Sequence, residues 1–163
     1  VTGSAFAPAF SYLAANIPAA ITAVDPGVSF IDSWGSPTER MFVLGRANLD
    51  DDAAGSDSTT YTLIGGMRLD ERFDIPGFIQ VTMGGSDASE ARGAAWAIWD
   101  AFMAWLTAHL NLGGLLQPGG QGGGYAVISD IQCEQTGSAD QAAGGRMCRI
   151  RFVLSCTNSY IPS

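Results

Sequence analysis

The sequence predicts an α+β fold in a single domain spanning 1–163: a mostly antiparallel sheet of about four to six strands packed against two main helices, about 4–23 and 87–111. Three observations carry that expectation. Apolar residues recur at helical spacing in two long stretches, one at the start of the chain and one past its middle. Between and after them lie runs rich in β-branched and aromatic residues, bounded by Gly and Pro. A length of 163 residues with 47% hydrophobic and 15% charged residues gives one well-filled core and is short for two.

In the first helix Phe6, Phe10, Leu13, Ile17 and Ile21 share one face, with Ser4 available as a cap and Pro8 in the tolerant first turn. Pro18 is expected to bend or end this helix early, because its ring displaces the preceding turn and it offers no donor. After the turn Asp25-Pro26-Gly27, the runs "VSFIDSW" and "RMFVLGR" read as a hairpin interrupted by Gly35, Ser36 and Pro37. The stretch "NLDDDAAGSDS" at 48–58 resembles a calcium loop only superficially. An EF-hand starting at Asn48 needs glycine at its sixth place and glutamate at its twelfth, where Ala53 and Thr59 stand, so a solvated acidic loop is expected. Two further strands, "TTYTLIGGMRL" and "GFIQVTMG", are expected to be joined through "DERFDIP", with Gly65 and Gly66 marking a bend and Pro76 at the start of the second.

The second helix opens with Asp87 as N-cap and Glu90 three residues on, a variant of the capping box, and stops at Gly113-Gly114. Ala91, Ala95, Ile98, Phe102 and Leu106 form one apolar stripe, and Trp96, Trp99, Met103 and Leu110 form a second beside it. A membrane span is excluded, since Asp100 at its middle costs roughly 2.5 to 3.5 kcal/mol and the tryptophans sit centrally instead of at the interfaces. Both stripes can be buried within one copy, one on the sheet and one on the first helix. Alternatively the second stripe, Trp96, Trp99, Met103 and Leu110, meets a neighbouring subunit, as large exposed apolar patches commonly do.

In the closing pair, Cys148, Ile150, Phe152, Leu154 and Cys156 alternate with Arg149 and Arg151, so one face of "RMCRIRFVLSC" is core. "YAVISDIQCEQ" is expected to return antiparallel to it across the Gly-rich turn at 136–145, with Cys133 opposite Cys148, Ile131 opposite Ile150 and Asp130 opposite Arg151. That register permits a Cys133–Cys148 disulfide. Three cysteines without a C-x-x-C spacing point instead to free thiols in a reducing compartment.

Chemistry is sparse. All eight positive charges are arginine against sixteen carboxylates, and the net charge of -8 repels nucleic-acid phosphate. There is no G-x-S-x-G elbow, phosphate loop or H-E-x-x-H, and "GGQGGGY" lacks the strand before and helix after that a dinucleotide site requires. One histidine gives little support to a zinc site. As a general-base pair, His109 and Asp100 are separated along the helix and point in opposed directions. The chain is therefore expected to have no catalytic residues, cofactor or metal and not to be an enzyme. No charged start, apolar stretch and cleavage site combine into a signal peptide, and secretion is not expected.

The order of parts resembles a family. An amphipathic first helix, a hairpin of strands, a long strand ending in "RLDERFDIPGFIQV", a helix opening "SDASEARGAAWAIWDAFMAWL" and the closing pair "GYAVISDIQCEQ" and "CRIRFVLSC" together look like the tail terminator proteins of long-tailed bacteriophages. The likeness covers nearly the whole chain; the Trp-rich second helix and the Gly-rich stretch at 113–124 depart from it. It implies a structural virion protein, assembled in the host cytoplasm, that forms a hexameric ring at the head-proximal end of the tail. Such a ring caps the tube, halts its growth and joins it to the head. Its implied partners are further copies of itself, the tail tube protein and a head-completion or neck protein, with DNA passing through unbound and no membrane involved. The second helix stripe would supply one side of a heterologous ring contact. The loop bearing Asp50, Asp51, Asp52 and Asp57 would face the lumen or an axial partner, its charge keeping DNA from sticking. The competing expectations are another neck or head-completion ring and a monomeric binding module or small enzyme that uses Trp96, Trp99 and Trp105 as a ligand platform.

Overall fold

The computed structural model describes residues 4–32, 35–47, 60–64, 68–84, 88–119, 123–136 and 146–161, with the backbone alone at 60–64 and 68. In chain order the elements are α1 (Phe6–Thr22), β1 (Ser29–Asp32), β2 (Arg40–Leu44), β3 (Thr60–Ile64), β4 (Arg68–Met83), α2 (Ala88–Ala108), β5 (Ala126–Thr136) and β6 (Arg146–Tyr160). The fold is α+β, as the sequence predicts. The sheet runs β1-β2-β4-β6-β5, and β3 lies beside β2 along the same edge of β4.

Both helices pack on one face of the sheet. Ala9, Leu13, Ile17 and Ile21 from α1 meet Ala91, Ala95, Ile98, Phe102 and Leu106 from α2 in a core shared with alternate residues of β4 and β6. Phe42, Phe102 and Phe152 form its centre, with ring centroids 5.2 to 5.6 Å apart. Such aromatic pairs add about 0.5 to 1.5 kcal/mol each beyond the area they bury. Phe6 and Phe10 are half-buried against the core, so they flank the α1 stripe instead of filling it.

Pro18 does not end α1, which continues to Thr22. Burial of Ile17 and Ile21 on either side outweighs the cost of the missing hydrogen bond, about 3 kcal/mol in a helix interior. The N-cap is Ala5, not Ser4, and the carboxylate that holds this end comes from the sheet. Glu71 Oε2 accepts from the Ala5 backbone N–H at 2.8 Å and from Asn158 Nδ2 at 3.2 Å, and its Oε1 accepts from Ser4 Oγ. With Glu71 only 1% exposed, it satisfies donors of the helix terminus where water cannot.

The expected hairpin of β1 and β2 is absent: the two strands pair in parallel, with Ser29 opposite Met41 and Asp32 opposite Leu44. Asp25 explains the direction. Its Oδ1 accepts from Gly27 N at 3.0 Å, closing the turn before β1, while Oδ2 accepts from Arg40 Nη1 at 2.7 Å at the start of β2. Tying the two strand starts together fixes them side by side. The connection at 33–39 has more residues than a tight turn needs and can run back the length of a four-residue strand.

β4 is one strand of 16 residues, not two strands joined through "DERFDIP". β3 pairs with it only as far as Arg72 and β2 begins at Gly77, leaving a gap on that edge where Pro76 sits. The carbonyl of Pro76 accepts from Gly45 N at 2.7 Å, so its missing donor points to the same gap and interrupts no ladder.

β6 alternates as the sequence predicts, with Cys148, Ile150, Phe152, Leu154 and Cys156 buried. Its antiparallel partner β5 is displaced by two residues from the expected register: Cys133 faces Ile150, Ile131 faces Phe152 and Asp130 faces Val153. The ion pairs show why, since it is Glu134 and not Asp130 that meets the arginines, at 3.3 Å from Arg149 and 2.8 Å from Arg151. A bulge between Ile128 and Asp130 lets Ile131 and Cys133 share a face with Ala126 and Ile128 despite the change from even to odd numbering. Ser129 occupies it, donating to Val153 O at 3.3 Å and accepting from Ser155 Oγ at 2.7 Å.

On the opposite face of the sheet Ile31, Met41, Val43 and Phe78 form a second buried cluster, with the Arg149 guanidinium 5.4 Å from the Phe78 ring centroid. Among the described residues no helix is long and apolar enough to cross a membrane.

Candidate self-association surface

The sheet places its two longest strands, β4 and β6, at the centre and leaves β5 on an edge. β5 pairs with β6 on one side, and among the described residues no strand pairs with the other. The outward backbone donor of Ala126 is taken by Leu110 O at 2.7 Å, and beyond it the edge of β5 carries a row of outward backbone donors and acceptors that a further strand could pair with. Natural edges are blunted by charged residues, proline or brevity; this one is long and has no lysine or proline, and its protective features are the bulge at Ser129 and the carboxylates Asp130 and Glu134.

Its side chains are unusually bare. α2 lies across β4 and β6 and barely reaches β5, so the helix-side face of the outer strand, covered at Ala126 and Ile128, is open from Ile131 onward. Ile131, which the sequence places in the core, is 43% exposed there, and Cys133 is exposed beside it. On the other face Val127 is 40% exposed, and Tyr125, just before the strand, is 43% exposed. Sequence reasoning missed Tyr125, Val127 and Ile131 as surface residues, because an alternating apolar strand reads as covered unless its edge position is known.

The second stripe of α2 is divided. Trp99 is 7% exposed and belongs to the core of its own chain, with its ring 5.6 Å from Phe152, 5.8 Å from Phe102 and 6.5 Å from Trp96. This corrects the assignment of Trp99 to a subunit contact, since almost none of its ring is left to cover. Trp96 and Met103 are half-buried against the same core and present only an edge outward. Leu110, beyond the helical end at Ala108, is exposed. Trp105 is half-buried between Tyr12 and His109, with centroids at 6.2 and 4.8 Å. His109 Nδ1 lies 2.7 Å from Trp105 O, and Asp100 is exposed elsewhere on the helix. Trp96, Trp99 and Trp105 thus do not line one cleft.

Asp50, Asp51, Asp52 and Asp57 lie outside the described residues, as does the capping residue Asp87. Among the described residues no three His, Cys, Asp or Glu side chains come together as metal ligands. Comparison with protein-family models and with curated proteins gives no match.

Proposed function

We propose that this chain is a structural virion protein of the tail-terminator kind, whose copies associate into a closed ring, a hexamer, at the head-proximal end of a phage tail. The observation that carries the self-association is the uncovered edge of β5, with Val127, Ile131 and Tyr125 exposed along it. A ring needs one patch on each copy to fit a different patch on the next. The β5 edge supplies one such patch, and Leu110 with the outward edges of Trp96 and Met103 supplies apolar surface on the helical side. The tail-terminator assignment within that reading rests on the order of elements in the sequence and on its acidity. A net charge of -8 per copy gives a lumen that repels phosphate and lets DNA pass without sticking. The loop of Asp50, Asp51, Asp52 and Asp57 serves that lumen or an axial partner in this proposal. The ring contacts the tail tube protein on one side and a head-completion protein on the other, and performs no catalysis.

Electron microscopy of particles made without the protein tests the assignment. Overlong tails are the expected result. Normal tails beside leaking heads would transfer the chain to a head-side neck ring, and normal particles would remove it from the virion altogether. The contact itself is tested by Val127→Glu combined with Ile131→Lys, which should leave the fold intact by circular dichroism and abolish assembly. Unimpaired assembly would move the interface away from β5.

A further inference from the structure

We propose that Cys133 and Cys148 form a redox pair, a modification site at which a low-molecular-weight disulfide such as glutathione disulfide drives closure of an intramolecular bridge between β5 and β6. The pair is not directly opposed in the ladder. Cys133 faces Ile150 and Cys148 faces Gln135, so the two cysteines are diagonal neighbours on the helix side of the sheet. Their sulfurs are nonetheless only 4.0 Å apart. A disulfide requires about 2.05 Å between sulfurs, and because diagonal positions across a strand pair lie roughly 7 to 8 Å apart, closure takes a small shift of the outer strand together with a turn of the exposed Cys133 side chain.

The two thiols differ in the way that an attacking and a resolving cysteine differ. Cys133 is exposed on the bare face of β5, whereas Cys148 is fully buried. Burial, reinforced by Cys133 and opposed by the charge of Arg92, pushes the Cys148 thiol up to about 12. A small disulfide therefore meets Cys133 first. The Cys133 thiolate attacks one glutathione sulfur, forming a mixed disulfide and releasing one glutathione thiolate. That thiolate takes up the proton Cys133 has lost. Cys148 then gives up its proton and attacks the Cys133 sulfur, expelling the second glutathione thiolate, which is protonated in turn. Two protein thiols are oxidised and one glutathione disulfide is reduced to two thiols. Cys156 has no such neighbour, because it stands opposite Ala126 on one side and Phe73 on the other.

The bridge closes the loop between the two strands and fixes β5 in its observed register at the strand most open to fraying. This inference stands on the sulfur geometry and on the exposure of Cys133, so it concerns the unassembled chain, in which the β5 edge is uncovered, and does not depend on the virion assignment.

The test is treatment of the purified full chain with glutathione disulfide, followed by alkylation and peptide mass mapping. The expected product is a Cys133–Cys148 linked peptide with two hydrogens lost, reversed by dithiothreitol, while Cys156 remains a thiol. Amide exchange across β5 should slow on oxidation and recover on reduction. Cys133→Ser should abolish the product. Cys148→Ala should stop the reaction at a stable glutathione adduct on Cys133; where that buried change impairs folding, the exposed Cys133→Ser variant decides alone. A wild-type chain that stops at the adduct, bridges through Cys156, forms Cys133-linked dimers or fails to react would overturn the proposal.

Discussion

Trp99→Ala separates a core tryptophan from an interface tryptophan. The residue is only 7% exposed and its ring sits against Phe102, Phe152 and Trp96 within one chain. Truncating it removes a large apolar side chain and leaves a cavity that the sheet and helix around it can only partly close. Buried Trp or Phe to Ala changes cost about 3 to 5 kcal/mol. For a domain of this size each kcal/mol lowers the midpoint by about 2 to 4 °C, so a fall of roughly 6 to 20 °C is expected. The assay is thermal unfolding followed by circular dichroism, repeated over a range of protein concentrations to separate folding from association. Leu110→Ala, at an exposed position, serves as the comparison and should change stability by less than about 0.5 kcal/mol. A Trp99→Ala chain that melts with the wild type, and loses only its concentration dependence, would refute the placement of Trp99 in the core.

Three further changes probe the frame that positions the surface. Gly77→Ala would set a new Cβ 2.4 Å from Phe152 Cζ and 2.8 Å from the Val43 carbonyl oxygen, and since the latter is backbone it cannot swing aside. A loss of about 1 to 3 kcal/mol or more is expected in urea unfolding. Glu71→Ala removes the acceptor shared by Ala5 N and Asn158 Nδ2 in a buried site, and should cost about 1.5 to 3 kcal/mol, with exchange of the first α1 amides accelerated most. The Cys156 thiol is pushed from 9.0 up to about 12 by burial, with Asp74 and Glu71 adding to the effect. The folded chain keeps this proton after the unfolded chain has released its own. The contribution is therefore intact below pH 9.0 and is lost as pH rises from there toward about 12. Urea midpoints measured across that range should fall less steeply in Cys156→Ala than in the wild type.

What the sequence revealed of the fold, and what it concealed, divides along physical lines. The buried stripe of α2 and the inward face of β6 are set by local periodicity, and Ile98, Phe102, Ile150 and Leu154 lie where that periodicity puts them. The direction of β1 against β2 depends on Asp25 reaching Arg40, a contact between residues 15 apart that no repeat encodes. Likewise Pro76 is tolerated in β4 only because β3 and β2 leave a gap beside it, which cannot be known before the strands are placed. The β5 register turns on the bulge at Ser129, a single residue that changes the phase of everything after it. The candidate surface was legible as an excess of apolar residues but not as a location. Trp99 is buried because Phe152 and Phe102 enclose it, and Ile131 is exposed because α2 stops short of it.

Native mass spectrometry of the intact wild-type chain, set beside the Val127→Glu, Ile131→Lys double variant, tests self-association through the β5 edge most directly. A closed oligomer of a single stoichiometry in the wild type, a hexamer, with folded monomer in the variant, is the predicted result. A wild-type chain that stays monomeric at every concentration, or a variant that assembles as the wild type does, would contradict it.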